Sequence, residues 1–268
     1  MDKQAQLIDL IKSYGSVAIG FSGGVDSTVL AKAASVALGD KAIAITGVSD
    51  LMTQEEIKDA QKVAKLIGIR HELLPVDDLG DHNFVANDKM RCYYCHINRF
   101  TQMEKFVKKL NLNYILDGSN EDDKGDYRPG MQALKEFDNT KSPFLDLHIT
   151  KKEIRQMAKD WDLPVWNKPS SACLASRLVY GLEVTSKRLH QVGEAEHVVR
   201  QFVEGQIRVR HHDNLARIEV EPDQIMKIME PKTRAYIDEK LKAIGFKFVT
   251  VDISGYSKGS NNILLDKK

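Results

Sequence analysis

The chain has little cysteine, almost no net charge and no long apolar segment. Its three cysteines are too few and too oddly numbered for a disulfide framework, and they suit a reducing compartment. The 39 basic residues nearly cancel the 38 acidic ones, for a formal net charge of +1, and no charge run indicates a nucleic-acid-binding tail. No apolar run approaches the roughly 18 residues of a membrane span, and residues 1–12 are too polar for a signal peptide. These absences predict a soluble, cytoplasmic protein with no membrane or nucleic-acid partner.

What the sequence does contain is an alternation of strand-like and helix-like segments. Strands are predicted at 17–21, 42–46, 69–76 and 114–116, and helices at 26–38, 53–67, 95–110 and 150–161. Capping boxes are predicted at two of these helix starts, Thr53 with Glu56 and Thr150 with Glu153. Such alternation is typical of an α/β fold with a doubly wound parallel sheet, which binds ligands beyond the carboxyl ends of its strands.

The pattern changes beyond Gly181. A helix at 186–202 is followed by strands at 206–209 and 216–220, a helix at 224–244 and a strand at 247–253, which is typical of a small α+β domain. A chain of 268 residues can also form two domains. We therefore expect an α/β domain over residues 1–180 and an α+β domain for substrate binding or oligomerisation over residues 181–268.

The most informative segment is Ser22-Gly23-Gly24-Val25-Asp26-Ser27-Thr28, which joins the first predicted strand to the following helix. Glycines allow the backbone to turn with positive φ and to approach a ligand, while the helix start presents free N–H groups and a positive dipole to an anion. The turn has no lysine and no Walker spacing, which disfavours a γ-phosphate transferase. A simple βα turn is the alternative. The motif resembles the PP-loop of ATP pyrophosphatases, which cleave ATP between its α- and β-phosphates to adenylate a substrate.

The cysteines form a second candidate site. Cys92 and Cys95 make a C-x-x-C pair at a predicted helix start, where the helix dipole lowers thiol pKa, and Cys173 lies in an irregular segment. The three thiols suit zinc, with His96 as a fourth ligand, or a [4Fe–4S] cluster with one iron open. A redox pair, or three unrelated apolar residues, would also fit the spacing.

A polar segment runs from Asp117 to Gly130. Carboxylates are the usual protein ligands of the Mg²⁺ that accompanies ATP, so Asp122, Asp123 and Asp126 are candidates. Arg128 can bind a phosphate or carboxylate through two parallel hydrogen bonds. The alternative is a solvated acidic loop.

Arginines form a third polar group. Ser176 and Arg177 follow Cys173, while Arg208 and Arg210 are two residues apart and would share one face of a strand. Two guanidinium groups at one spot suit a phosphate monoester, although an exposed edge strand fits nearly as well. Glu196 would ordinarily lie on a solvated helix face.

Taken together, these residues resemble the LarE family of PP-loop sulfur-inserting enzymes, which serve biosynthesis of the nickel-pincer cofactor of lactate racemase. The likeness spans almost the whole chain and is carried by residues 22–28, 117–118, 126–130, 167–168, 176–177, 180–181, 208–210 and 216–219. The D-Y-R-P-G segment and the R-V-R-x-H segment are the most specific to this family.

The resemblance implies ATP-dependent adenylation of the carboxylates of pyridinium-3,5-biscarboxylic acid mononucleotide, followed by replacement of AMP by sulfur. It assigns ATP binding to Ser22, Gly23, Gly24, Asp26, Ser27, Thr28, Asp117 and Gly118. It assigns substrate binding to Ser176, Arg177, Arg208 and Arg210 and an acidic active-site role to Glu196. The residues of the 117–130 segment add Arg128 as a substrate-binding candidate and Asp122 and Asp126 as Mg²⁺ candidates. A homo-oligomer is also implied.

The source of the sulfur divides the family. In members that sacrifice their own cysteine, the donor aligns with Ala172, one place before Cys173, and the pair Cys92 and Cys95 is lacking. The present sequence resembles the branch in which three cysteines hold a [4Fe–4S] cluster, which implies that Cys92, Cys95 and Cys173 are ligands and that a sulfide source is a partner. Alternatives are a sacrificial cysteine, a PP-loop tRNA thiolase, an ammonia-using ligase and a non-catalytic nucleotide-binding or zinc module.

Overall fold

A computed structural model describes residues 2–125, 129–169, 172–257 and 259–261. The chain consists of two compact units. Unit 1 contains Met1–Asp78 and Cys92–Ser170, and unit 2 contains Leu79–Arg91 and Ser171–Lys268. The division into an α/β domain over residues 1–180 and an α+β domain over residues 181–268 stays a prediction.

The described helices, in chain order, are α1 Lys3–Ser13, α2 Val25–Leu38, α3 Gln54–Ile67, α4 His82–Val85, α5 Arg91–Lys109, α6 Pro129–Leu134, α7 Pro143–Asp146, α8 Lys151–Asp160, α9 Ser186–Arg200, α10 Ile225–Met229 and α11 Pro231–Ile244. The strands are β1 Val17–Gly20, β2 Ala42–Val48, β3 Arg70–Pro75, β4 Tyr114–Leu116, β5 Thr140–Lys141, β6 Ile207–His212, β7 Leu215–Val220 and β8 Phe248–Val251. No helix in the described ranges is both long enough and apolar enough to cross a membrane.

Unit 1 is built on a five-stranded parallel sheet in the order β3-β2-β1-β4-β5. Ile19 of β1 pairs with Ala44 of β2 on one side and with Leu116 of β4 on the other. The chain therefore builds the sheet outward from β1 in one direction and then returns to its other side. This reversal creates a topological switch point between β1 and β4, and the predicted α/β fold is confirmed.

Both faces of this sheet are covered, which explains why its central strands are apolar without alternation. Val17 and Ile19 face a core formed with α1, α2, α3 and α8, whereas Ala18, Ile43 and Ile45 face a core formed with α5. Both predicted capping boxes are present: Thr53 with Glu56 begins α3, and Thr150 with Glu153 begins α8.

Unit 2 contains a three-stranded mixed sheet in which β7 pairs antiparallel with β6 and parallel with β8. Its core is formed by the inward side chains of β6 and β7 with those of α9, α10 and α11. The single helix predicted at 224–244 is wrong, because the chain breaks at Glu230, which has φ −55° and ψ 136°. A residue before proline disfavours the helical region, and Pro231 then starts α11 at its first position.

Candidate functional site

The turn after β1 requires glycine at one position. Gly23 has φ +68°, and a Cβ added there would lie 3.0 Å from the Cα of Ala60 on α3. A side chain would therefore be strained by the backbone conformation and would also meet backbone that cannot easily yield. The turn owes its shape to the absence of a side chain at Gly23.

Two serines close this turn. Ser27 Oγ accepts a hydrogen bond of 3.2 Å from the N–H of Ser22, and Ser22 Oγ accepts one of 3.3 Å from the N–H of Gly24. Gly24 is the N-cap of α2, which has no side-chain cap in the described chain. Buried Thr28 Oγ1 likewise has no hydrogen-bond partner among the described residues. A helix start without a side-chain cap is suited to bind a phosphate.

The segment after β4 lies against the same turn. A Cβ added to Gly118 would lie 3.4 Å from Asp26 Cβ and 3.6 Å from the Ser27 nitrogen, so this glycine packs on the first turn of α2. Asp117 is buried and accepts hydrogen bonds from the N–H of Ser119, at 2.7 Å, and from the hydroxyl of Ser142. Burial raises the pKa of Asp117, and these hydrogen bonds oppose the change. The two predicted ATP-binding segments thus meet at the switch point.

Sequence reasoning missed two residues at this position. Lys151, in the first turn of α8, forms an ion pair with Asp26, and Asn120 Nδ2 lies 3.5 Å from Asp26 Oδ1. The capping box at Thr150 revealed where α8 starts, but no sequence signal showed that this start faces α2. Lys151 brings an ammonium group to the side of the candidate phosphate cradle, which is the turn and helix start at residues 22–28.

The acidic segment has a structural role. Asp122 Oδ2 accepts a 2.5 Å hydrogen bond from the N–H of Lys151, and buried Asp123 Oδ2 accepts one of 3.0 Å from the N–H of Asn120. The Mg²⁺ ligand role of Asp122 stays a prediction. Asp126 and Arg128 lie outside the described residues.

The paired cysteines lie at the start of α5, in the thiol form and partly exposed. Helical spacing puts Cys92, Cys95 and Arg99 on one side of α5. Arg99 pairs with buried Asp78 at 2.8 Å and donates to Ser49 Oγ at 2.9 Å and to the carbonyl oxygen of Gly47 at 3.3 Å. This side of α5 therefore faces the carboxyl ends of β2 and β3, at the edge of the sheet where the phosphate cradle lies.

Arg177 and Glu196 form a buried pair in unit 2. Arg177 Nε and Nη2 donate to the two carboxylate oxygens of Glu196 at 2.8 and 3.0 Å, and Glu196 also accepts from the N–H of Val209 at 3.1 Å. Arg177 Nη1 reaches the carbonyl oxygen of Cys173 at 3.2 Å. The sequence-based expectation of a solvated helix face for Glu196 is wrong, since its exposed fraction is 7%.

The other predicted substrate residues adjoin this pair. Arg210 donates through Nε and Nη2 to Glu219 Oε2 at 3.0 and 2.8 Å and through Nη1 to the carbonyl oxygen of Ser176 at 3.1 Å. Arg208 lies on the same face of β6 as Arg210. Burial, and to a smaller extent the positive charge of Arg177, lowers the pKa of Arg208. A guanidinium whose pKa falls for these reasons is stabilised by an approaching anion.

Unit 2 also contains the residue that precedes the cysteine pair. Arg91 is buried and donates through Nη1 to Asn87 Oδ1 at 2.6 Å and to the carbonyl oxygen of Ala175 at 2.9 Å. Arg91 is the chain neighbour of Cys92, and Ala175 is two residues beyond Cys173.

In the part of the chain that the structure describes, no group of three or more His, Cys, Asp or Glu side chains is arranged to hold a metal ion.

The NAD synthase family model matches residues 5–103. An uncharacterised protein of Synechocystis is 41% identical over 267 residues, covering 98% of this chain and 99% of that protein. The pyridinium-3,5-bisthiocarboxylic acid mononucleotide synthase of Lactiplantibacillus plantarum is 31% identical over 266 residues, covering 99% of this chain and 95% of the synthase. An uncharacterised protein of Methanocaldococcus jannaschii is 32% identical over 242 residues, covering 90% of each.

Proposed function

Because the chain belongs to the LarE family of ATP-dependent PP-loop sulfurtransferases, we propose that it makes pyridinium-3,5-bisthiocarboxylic acid mononucleotide from the corresponding biscarboxylic acid. The product would serve biosynthesis of the nickel-pincer cofactor of lactate racemase. The observation that carries the proposal is the meeting of the Ser22–Gly24 turn with Gly118 at the switch point of the parallel sheet.

The first half-reaction activates the substrate. A carboxylate oxygen of the substrate attacks the α-phosphorus of ATP, the bond to the bridging oxygen breaks and pyrophosphate leaves. The uncapped start of α2 would hold the phosphates, and Lys151 would stabilise charge on the leaving pyrophosphate. Mg²⁺ would offset the remaining charge, with Asp122 and Asp126 as the predicted ligands.

Substrate binding belongs to unit 2 in this proposal. The phosphate monoester of the mononucleotide would be held by Ser176, Arg177, Arg208 and Arg210. Glu196 would orient Arg177. The planar guanidinium fork suits a phosphate because two parallel N–H groups can bind two of its oxygens.

The second half-reaction transfers sulfur. A sulfide nucleophile adds to the activated acyl carbon and AMP leaves, so a thiocarboxylate forms without net oxidation or reduction. A second round converts the other carboxylate.

Three thiols, two of them on one side of α5, are a donor set that fits a [4Fe–4S] cluster with one open iron. The bound cluster would supply the transferable sulfide, with Cys92, Cys95 and Cys173 as ligands. An external sulfide source and a homo-oligomer stay predictions.

The test of the proposed reaction is product formation from purified protein, ATP, Mg²⁺ and the biscarboxylic acid mononucleotide. We expect AMP, pyrophosphate and a thiocarboxylate product by mass spectrometry, with AMP formation dependent on the mononucleotide. ATP binding without AMP formation would indicate a non-catalytic module. AMP formation that depends on tRNA in place of the mononucleotide, together with a strongly salt-dependent affinity for tRNA, would indicate a tRNA thiolase instead.

The sulfur source needs a separate test. Anaerobically reconstituted protein should contain about four iron and four sulfide per chain and should complete several turnovers. Cys92→Ala should lose iron and multiple turnover while still forming AMP and pyrophosphate. If iron-free protein completes one turnover and Cys173 loses its sulfur, as read by peptide mass, the sacrificial mechanism is correct and the cluster is not.

A further inference from the structure

The peptide group that leads into the Ser22–Thr28 turn is held at both ends. Its carbonyl oxygen, on Phe21, accepts a 2.7 Å hydrogen bond from Thr46 Oγ1, and its N–H, on Ser22, donates to Ser27 Oγ at 3.2 Å. A peptide group is planar, so contacts at both ends fix its orientation and the direction in which the chain enters the turn. One side chain of β2 and one of α2 therefore set the start of the phosphate cradle.

Thr46 lies next to the position where β1 and β2 stop pairing. The last register pair of the two strands joins Gly20 to Ile45, and the N–H of Phe21 donates to the carbonyl oxygen of Ile45 at 2.8 Å. Thr46 follows in β2, is 1% exposed, and binds the carbonyl oxygen of Phe21 through its hydroxyl group. This side chain continues the attachment of β1 to β2 beyond the last backbone pair.

A histidine of the next strand contacts this threonine. His71 of β3 places Nε2 2.8 Å from Thr46 Oγ1. A threonine hydroxyl group has one proton, and the carbonyl oxygen of Phe21 can only accept, so that proton belongs to the bond with Phe21. His71 Nε2 must then donate to Thr46 Oγ1. Burial lowers the pKa of His71, so the ring is neutral at pH 7 and Nε2–H is its single donor.

The ring of His71 also packs against the ring of Phe21. The two ring centres lie 5.5 Å apart and the ring planes are at 71°, which is an edge-to-face contact. The side chain of Phe21 is therefore held by His71 directly, while its carbonyl oxygen is held by Thr46. Neither Thr46 nor His71 lies in a motif of the sequence analysis, and their contacts result from the pairing of β1, β2 and β3.

We propose that Thr46 and His71 are positioning residues for ATP binding: His71 orients the Thr46 hydroxyl group, which in turn orients the peptide group that begins the Ser22–Thr28 turn. A turn that already has its bound shape does not have to be ordered when the phosphates bind, so the affinity for ATP is higher. The inference rests on the proposed function in one respect, namely that this turn binds the phosphates of ATP.

The test compares substitutions that remove each hydrogen bond with substitutions that keep it. Thr46→Val removes the hydroxyl group at nearly constant volume and should weaken the affinity for ATP, measured by calorimetry with Mg²⁺, about three- to tenfold. Thr46→Ser keeps the hydroxyl group and should bind ATP within about twofold of the wild-type protein. The KM for the biscarboxylic acid mononucleotide should change less than about twofold in both variants.

His71 provides a second pair of variants that leaves the threonine in place. His71→Leu removes the donor to Thr46 and should weaken the affinity for ATP about threefold, whereas His71→Gln has an amide N–H that can replace Nε2–H and should bind ATP within about twofold of wild type. Thr250→Val is the matched control, because Thr250 Oγ1 also donates across a sheet, to the carbonyl oxygen of Ala216 at 3.2 Å, but in unit 2. It should leave the affinity for ATP unchanged.

The outcomes separate this inference from the proposed function. If Gly23→Ala weakens ATP binding and Thr46→Val does not, the inference is wrong and the phosphate site stands. If neither substitution changes the affinity, ATP binds elsewhere and both are wrong. If Thr46→Ser and His71→Gln bind ATP as weakly as Thr46→Val and His71→Leu, the effect arises from packing, which also overturns the inference. Thermal unfolding identifies a variant that has lost its structure, and the His71 pair decides between these outcomes if Thr46→Val is such a variant.

Discussion

Lys151 and Asp26 form an ion pair between the first turns of α8 and α2, although 125 positions separate them in the chain. The backbone N–H of Lys151 is bound at the same time by Asp122. One residue therefore joins the phosphate cradle to the acidic segment that follows β4. This relationship makes Lys151 the first residue to test beyond the recognised motif.

Substitution of Lys151 should impair the nucleotide half-reaction. We expect Lys151→Met to lower the rate of pyrophosphate release at least about tenfold, because charge on the leaving group would lose its ammonium partner. Both partners of the pair are part-exposed, so the cost in stability should stay within about 1 kcal/mol. Lys152→Met, at the exposed neighbouring position, is the control and should leave pyrophosphate release unchanged. Equal effects of both substitutions would contradict a specific role for Lys151.

Substitution of Gly23 should weaken ATP binding. Gly23→Ala places a methyl group against the backbone of Ala60, so the turn must shift away from the start of α2. We expect at least about a tenfold weaker ATP affinity by calorimetry and a loss of about 1–3 kcal/mol in stability. Gly39→Ala separates these effects, because Gly39 also has positive φ, +56°, but no atom lies within 4 Å of the added Cβ. That control should cost a similar amount, about 1–3 kcal/mol, through its backbone conformation and leave ATP affinity intact.

Glu196 should be required for the stability of unit 2. Glu196→Gln removes the charge that offsets buried Arg177, and breaking such a pair costs roughly 3–5 kcal/mol in the free energy of unfolding. Urea unfolding measures this cost. Glu194→Gln, two residues away and exposed on the same helix, should change stability by less than about 0.5 kcal/mol. A loss below about 1 kcal/mol for Glu196→Gln would show that the pair is not structurally important.

Acid should destabilise unit 2 through His211. Burial lowers the pKa of His211 from 6.5 to about 4, and its Nε2 lies 3.1 Å from Gln191 Oε1. The folded state holds the neutral ring, so the unfolded chain binds more protons between those two values. The contribution of His211 to stability is therefore present above pH 6.5 and decreases toward pH 4, by roughly 2 kcal/mol at pH 5.

Unfolding by urea at several pH values measures this dependence. His211→Gln should flatten the fall in stability between pH 6.5 and pH 5, whereas His190→Gln, at an exposed position of α9, should not. A pH dependence that is unchanged in His211→Gln would show that other groups cause the acid sensitivity.

Local patterns predicted most of the secondary structure correctly. The Ser-Gly-Gly turn, both capping boxes and four of the five strands of the parallel sheet depend on residues within a few positions of one another, which a sequence displays directly. The two-residue strand β5, Thr140–Lys141, was missed. The break at Glu230 was missed although Pro231 signalled it, because the apolar spacing continued through the break. The first turn of α5 was also missed, since Arg91 begins the helix before its apolar periodicity starts.

The sequence by itself determined the chemistry of the phosphate turn, the alternation that builds a parallel sheet and the three thiols available for sulfur transfer. Only the tertiary structure decided that Lys151 faces Asp26, that Glu196 is buried on Arg177 and that Arg210 pairs with Glu219. The physical reason is the range of the interactions. Turns, caps and periodicity are set by neighbours in the chain, whereas ion pairs and ring contacts depend on which elements pack together, and packing is a property of the whole fold.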